Sequence, residues 1–169
     1  MLSESARMSS AAEARFRVQA PNSKPRAIKV IALDAPAEHV VKELAERGWQ
    51  NATFFTASAF AGSPQSDRFS VDGWLSDLAG RTKSLMDEVA TADLVVMVAT
   101  AGENAQAASL IGEACSARRV MTTALVLGSA STSDEVLAKS LSHLRPWSLM
   151  VVIASAEDYI ADMLTALRA

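Results

Sequence analysis

The sequence is short of the residues that most often carry chemistry by themselves. It holds one cysteine, Cys115, and two histidines, His39 and His143, in 169 residues. One cysteine excludes an internal disulfide. A lone thiol with two scattered imidazoles has no metal-ligand spacing, so no metal is expected. Gly-x-Ser-x-Gly is absent, and no Ser-His-Asp or Cys-His set has a supporting context, so no catalytic residue is assigned. Net charge is only −3, without the basic excess that a nucleic-acid partner demands. No apolar run approaches the roughly 20 residues needed to span a bilayer. Residues 1–26 have no apolar h-region and mix Ser, Ala, Arg and Glu, so a disordered tail is expected there rather than a secretory signal. A reducing cytoplasm is the expected location.

The most informative absence is a glycine-rich phosphate loop. Ala27–Leu33 (AIKVIAL) reads as a buried strand that runs through Asp34-Ala35-Pro36 into a helix. In a nucleotide-binding βαβ unit this turn is glycine-rich, so that backbone amides can approach phosphate. Here it carries two carboxylates, Asp34 and Glu38, and a proline that has no amide to offer.

What is present is a regular alternation. The runs Ala27–Leu33, Ala52–Ala57, Leu94–Ala99, Thr122–Gly128 and Leu149–Ala154 are almost continuously apolar, as strands covered on both faces read. Helical periods separate them. Ala37–Arg47 places Val40, Val41 and Leu44 on one face, with Glu38–Lys42 and Glu43–Arg47 as i,i+4 pairs. Asp72–Ala90 carries Trp74, Leu75, Leu78, Leu85, Met86 and Val89 on one stripe. Asn104 can cap a helix whose stripe is Ala107, Ala108, Ile111, Ala114 and Cys115. Thr132 and Glu135 form a capping box before Val136–Leu144, and Ser155 can cap the last helix. Ser58–Ser70 is the longest irregular stretch. The pattern predicts an α/β fold: a three-layer αβα sandwich around a mostly parallel, doubly wound five-stranded sheet, with residues 27–169 as one Rossmann-like domain.

Ligands of such sheets bind beyond the strand C-termini, at the switch point. That selects Asp34, Glu38, Thr100, Gly102, Glu103, Asn104, Ser129 and Ser155 as candidate ligand-binding residues, with Ser131 and Glu157 beside them. Each also has a structural role open to it: Asn104, Thr132 and Ser155 as caps, Glu103 and Glu157 as acids favoured by a helix N-terminus. Cys115 lies on an apolar stripe and reads as an inert core residue. Trp49 and Trp147, beside element ends, are candidates for an exposed partner site.

These runs resemble the nucleotide-binding domain of the division GTPase FtsZ and its tubulin-like relatives. Ile28-Lys29-Val30-Ile31 matches the family's first strand, Leu85–Val98 the helix and strand before its signature loop, and Thr122–Val126 and Leu149–Ile153 the next two strands. The resemblance covers about Ala27 to Leu164. The family's phosphate-binding motifs are missing from it. Asp34-Ala35-Pro36-Ala37-Glu38 stands in place of a glycine run, and Thr100-Ala101-Gly102-Glu103-Asn104 replaces the glycine- and threonine-rich signature loop. Ser58-Ala59-Phe60 replaces Asn-Thr-Asp, and Ala154-Ser155 replaces Pro-Asn. Thr100-Ala101-Gly102-Glu103 is also similar to the phosphosugar-binding turn of sugar isomerase domains, without its serine-rich remainder.

The resemblance implies a tubulin-like domain whose GTP chemistry has been lost. Such a domain would act without a cofactor, by binding a protein partner or by self-association. The alternative is a small-molecule binder, for a nucleotide or phosphosugar, or a minor enzyme, using the polar switch-point residues.

Overall fold

The computed structural model describes residues 24–57, 74–154 and 158–169. Among these residues, seven strands form one sheet in the order β4-β3-β2-β1-β5-β6-β7. They are β1 (Ile28–Ala32), β2 (Ala52–Thr56), β3 (Trp74–Asp77), β4 (Thr82–Ser84), β5 (Leu94–Thr100), β6 (Met121–Leu127) and β7 (Met150–Ile153). The five strands expected from their apolar runs are all present and pair in parallel, with Val30 beside Phe54 on one side and Val96 on the other. The Rossmann-like α/β expectation holds, with seven strands rather than five.

The two additional strands correct one helix. Asp72–Ala90 was expected as a single helix. Its described part is an antiparallel hairpin, β3–β4, followed by the short helix α2 (Leu85–Ala90). The turn chemistry at Asp77–Arg81 explains the difference. Asp77 accepts the amides of Ala79 at 3.0 Å and Arg81 at 2.8 Å, and Gly80 takes φ +79°. Hydrogen bonding from the Arg81 amide holds the Asp77 carboxyl below its ordinary value, against the opposing effect of desolvation. Leu75 and Leu78, read as one helical stripe, lie in the two different core layers, as residues of a strand and its turn can.

Four longer helices complete the layers: α1 (Ala35–Ala45), α3 (Ala107–Arg118), α4 (Asp134–Leu144) and α5 (Asp158–Ala166). Helices α1 and α5 cover one face, through Ala37, Val41, Leu44, Ile160 and Leu164. Helices α2, α3 and α4 cover the other, through Leu85, Val89, Ala108, Ile111 and Leu144. Strands β1, β5 and β6 are buried on both faces, which is why their sequences do not alternate.

The helix caps differ in detail from the sequence expectation. Helix α1 begins two residues earlier than expected, capped by Asp34. Helix α4 is capped by Ser133 rather than Thr132. Glu38–Lys42 forms at 2.6 Å, but Arg47 pairs with Asp158 of α5 and Glu43 with His39. The expectations for the tail up to residue 23, for Ser58–Ser70 and for Ser155 as a cap lie outside the described residues. Among the described residues, no helix is long and apolar enough to cross a membrane.

The strand order places the site. From β1 the chain builds outward through β2, then returns to the opposite side of β1 with β5 and continues to β6 and β7. The topological switch point is therefore between the C-terminal ends of β1 and β5.

Candidate functional site

Asp34 lies two residues beyond β1 and Thr100 ends β5, so the two residues meet across the switch point. One oxygen of the Asp34 carboxylate accepts the Thr100 amide at 2.7 Å. The other accepts the Thr100 hydroxyl at 2.9 Å and the Ala37 amide at 2.8 Å. Asp34 is 5% exposed, so its charge is desolvated and balanced by these three donors.

The same geometry engages a donor at the start of helix α1. A helix N-terminus attracts an anion because its first amides have no intrahelical partner. Here Ala37 gives its amide to the Asp34 side chain, Glu38 gives its own to the Asp34 carbonyl at 2.9 Å, and Pro36 has none. The protein's own carboxylate thus caps this terminus.

Glu38, one turn along α1, closes the neighbouring corner. Its carboxylate accepts the Thr56 hydroxyl at the end of β2 at 3.1 Å and pairs with Lys42 at 2.6 Å. The crests of β2, β1 and β5 are thus tied to helix α1 by two acids. On the far side, Gly128 takes φ +75° and a Cβ there would lie 3.5 Å from the Thr100 Cγ2, which sets the turn carrying Ser129 beside Thr100. Ser129 is half-buried at the start of the 3-10 turn Ser129–Ser131. The candidates Asp34, Glu38, Thr100 and Ser129 are therefore brought to one crest, and Ser155 lies outside the described residues.

Gly102, Glu103 and Asn104 belong to a second place. The chain after β5 turns through Gly102 (φ +90°), whose amide donates to the Ser140 hydroxyl of α4 at 2.9 Å. A Cβ at Gly102 would come within 3.1 Å of the Val136 Cγ1, so the loop lies close on α4. Asn104 accepts the Gln106 amide at 2.9 Å, just before α3. A groove of about 390 Å³ opens between this loop and α4, lined by Glu103, Asn104, Lys139, Ser140 and His143 among others. The sequence reading missed Lys139 and Ser140, and took His143 only as a helix-end residue. Lys139 and His143 are four apart and share a helix face, a detectable signal, but that the face meets the 102–106 loop is a tertiary fact.

The remaining candidates have structural roles. Cys115 is buried, and burial pushes its thiol up to about 12, so no reactive thiolate forms near neutral pH. Trp49 and Trp147, candidates for a partner site, are both half-buried. Trp49 packs on the α1/α5 layer and donates its indole N–H to the Leu44 carbonyl at 2.8 Å. Trp147 packs on the opposite layer, where the absent side chain of Gly112 makes room for it. Among the described residues, no group of three His, Cys, Asp or Glu is placed to hold a metal ion.

No protein-family model matches the chain, and no curated protein matches it in sequence. Among solved structures, the chain is similar to the translation elongation factor SelB from Methanococcus maripaludis, determined in complex with the GTP analogue GppNHp. The identity is 9% and the TM-score 0.46, over 84% of this chain and 33% of that one. The chain spans about a third of that protein's length, and a likeness this remote carries no argument about function.

Proposed function

We propose that the chain is a non-catalytic, degenerate relative of the FtsZ and tubulin-like nucleotide domain, and that it acts by protein–protein interaction or self-association. The observation that carries this reading is the Asp34 carboxylate, held at the switch point by three donors and 5% exposed. A bound polyphosphate would have to displace it and then face Asp34 and Glu38 at close range, where like charges in a partly desolvated site repel strongly. The surface offered for interaction is at the β7 edge of the sheet, where Met121, Leu149, Met150 and Ile153 are 45–77% exposed. Clustered large apolar side chains on a surface mark interaction sites.

The test is equilibrium binding of labelled GTP with magnesium. The reading expects neither binding nor turnover, and micromolar affinity with hydrolysis contradicts it.

The groove between the 102–106 loop and α4 favours a second reading, a small-molecule binder. Its volume of about 390 Å³ falls within the range of ligand pockets, and Lys139, Ser140, His143 and Asn104 converge on it. A metabolite that raises the melting temperature of the wild type, but not of Lys139→Glu, supports this second reading. A broad screen with no stabilising compound removes it.

A further inference from the structure

Strand β7 is an edge strand: on its outer side no strand pairs with it among the described residues. Exposed edges are templates for pairing, and proteins guard them with charges, proline or bulges. Among the described residues, strand β7 itself carries no such guard. The stretch Pro146–Ala154 contains no charged residue, and its one proline precedes the strand. Met150 and Ile153, at the two ends of β7, are 50% and 45% exposed, and Leu149 just before it is 77% exposed.

The two helices flanking this edge extend the same surface. On one face, Met163 and Leu167 of the α5 segment line a cavity of about 250 Å³ with Met121, Leu149 and Met150, and Arg26 at the start of the sheet also borders it. Tyr159, one turn before Met163 on the same row, is 43% exposed. The other flank of α5 is turned to α1 by the Arg47–Asp158 pair at 3.2 Å, so the row Tyr159-Met163-Leu167 lies on the β7 side. On the opposite face, Val136, Lys139, Ser140 and His143 of α4 are turned to the 102–106 loop. By helical spacing, Asp134, Ala138 and Arg145 fall on the other flank, toward the free edge, and all three are exposed.

The charges on that flank select the occupant. The acid is at the start of α4 and the base at its end, about 16 Å apart by the helical rise. A second copy brought to β7 by a twofold axis perpendicular to the sheet sets β7 antiparallel to its mate and α4 antiparallel to its mate. Asp134 of each copy then meets Arg145 of the other, with the small Ala138 between them allowing close approach. A twofold interface is self-complementary by construction, and this flank has the required pattern.

We propose that the chain forms a twofold dimer through β7, joining the two sheets into one continuous sheet, with α4 packed on α4 and α5 on α5 across the axis. This rests on the self-association side of the function proposed above and specifies its surface. A four-residue strand supplies few main-chain bonds, so the helix flanks must supply most of the specificity.

The test is sedimentation velocity of the full chain up to about 100 µM, a range that reports any stable interface of standard size. The wild type is expected to sediment as a dimer, and Met150→Lys/Ile153→Lys as a monomer with an unchanged far-ultraviolet circular dichroism spectrum. Asp134→Arg and Arg145→Asp are each expected to weaken the dimer about tenfold, and the double exchange to restore it. A wild type that is monomeric throughout overturns the proposal, as does a dimer indifferent to the β7 substitutions. Loss of the dimer without rescue by the double exchange overturns the twofold arrangement. None of these outcomes touches the nucleotide question, so failure here, with GTP still unbound, leaves interaction with a different protein as the function.

Discussion

The Asp34 carboxylate and Thr100 are joined twice, through the threonine amide at 2.7 Å and its hydroxyl at 2.9 Å, across 66 residues of sequence. This contact ties the ends of β1 and β5 together at the place where a doubly wound sheet usually opens to its ligand. The third bond, from the Ala37 amide, makes the same carboxylate the N-cap of α1. A helix cap and a strand-to-strand tie are one group of atoms.

Asp34→Ala removes all three bonds and leaves the Thr100 and Ala37 amides without their partner. Loss of a cap costs about 1 kcal/mol, and hydrogen bonds to a charged group about 1.5–3 kcal/mol, so a destabilisation of about 2–4 kcal/mol is expected. Thr100→Val removes only the hydroxyl bond and is expected to cost about 1 kcal/mol. Urea unfolding of the two single variants and the double variant should show non-additive losses, because the residues share a contact.

Lys29 and Glu88 make a second test of burial. They pair at 2.8 Å with side-chain exposures of 11% and 21%, and the Lys29 ammonium lies 5.7 Å from the Phe55 ring centroid. Removing one partner strands the other, so Glu88→Leu is expected to destabilise by about 3 kcal/mol. Replacing both, as Lys29→Met with Glu88→Leu, is expected to recover most of that loss, since a buried ion pair is often no more stabilising than an apolar pair. Denaturant midpoints of the single and double variants check this.

Gly112→Ala weighs two effects of opposite sign. Alanine is favoured over glycine within a helix by about 1 kcal/mol. A Cβ at residue 112, however, would lie 2.6 Å from the Trp147 Cβ, an atom fixed to the backbone. Overpacking of this kind typically costs about 1–3 kcal/mol, so net destabilisation is expected, with a shift in Trp147 fluorescence. An unchanged melting temperature and spectrum would contradict the packing described.

Cys115 gives a pH-dependent expectation. Burial raises its thiol from an ordinary value near 9 to about 12, so the folded state holds its proton where the unfolded state releases it. The stabilisation this represents is fully present below pH 9 and is lost as pH rises toward 12. Labelling by iodoacetamide at pH 8 is therefore expected to be slow in the native protein and fast in denaturant. Rapid native labelling would contradict a buried thiol.

Much of the fold was legible because the apolar runs themselves encode it. LVVMVAT and TTALVLG have no alternation, as strands covered on both faces read. The hairpin was not legible in the same way. Asp72–Ala90 has helical spacing, and the signal against a helix was local, in Asp77 and Gly80. The site was half legible. Asp34 and Glu38 stood out in the sequence as carboxylates where glycines were expected. That each would find a threonine, Thr100 for one and Thr56 for the other, depends on strands distant in sequence. Lys139 and Ser140 were missed for the same reason, because their relation to Gly102 exists only after α4 has packed.

The most direct test is isothermal titration of the full chain with GTP and magnesium, run beside Asp34→Ala. The account predicts no saturable heat with the wild type at millimolar nucleotide, because the Asp34 carboxylate already holds the Thr100 and Ala37 donors at the switch point. Saturable wild-type binding in the micromolar range, with Asp34→Ala binding no better, would contradict it.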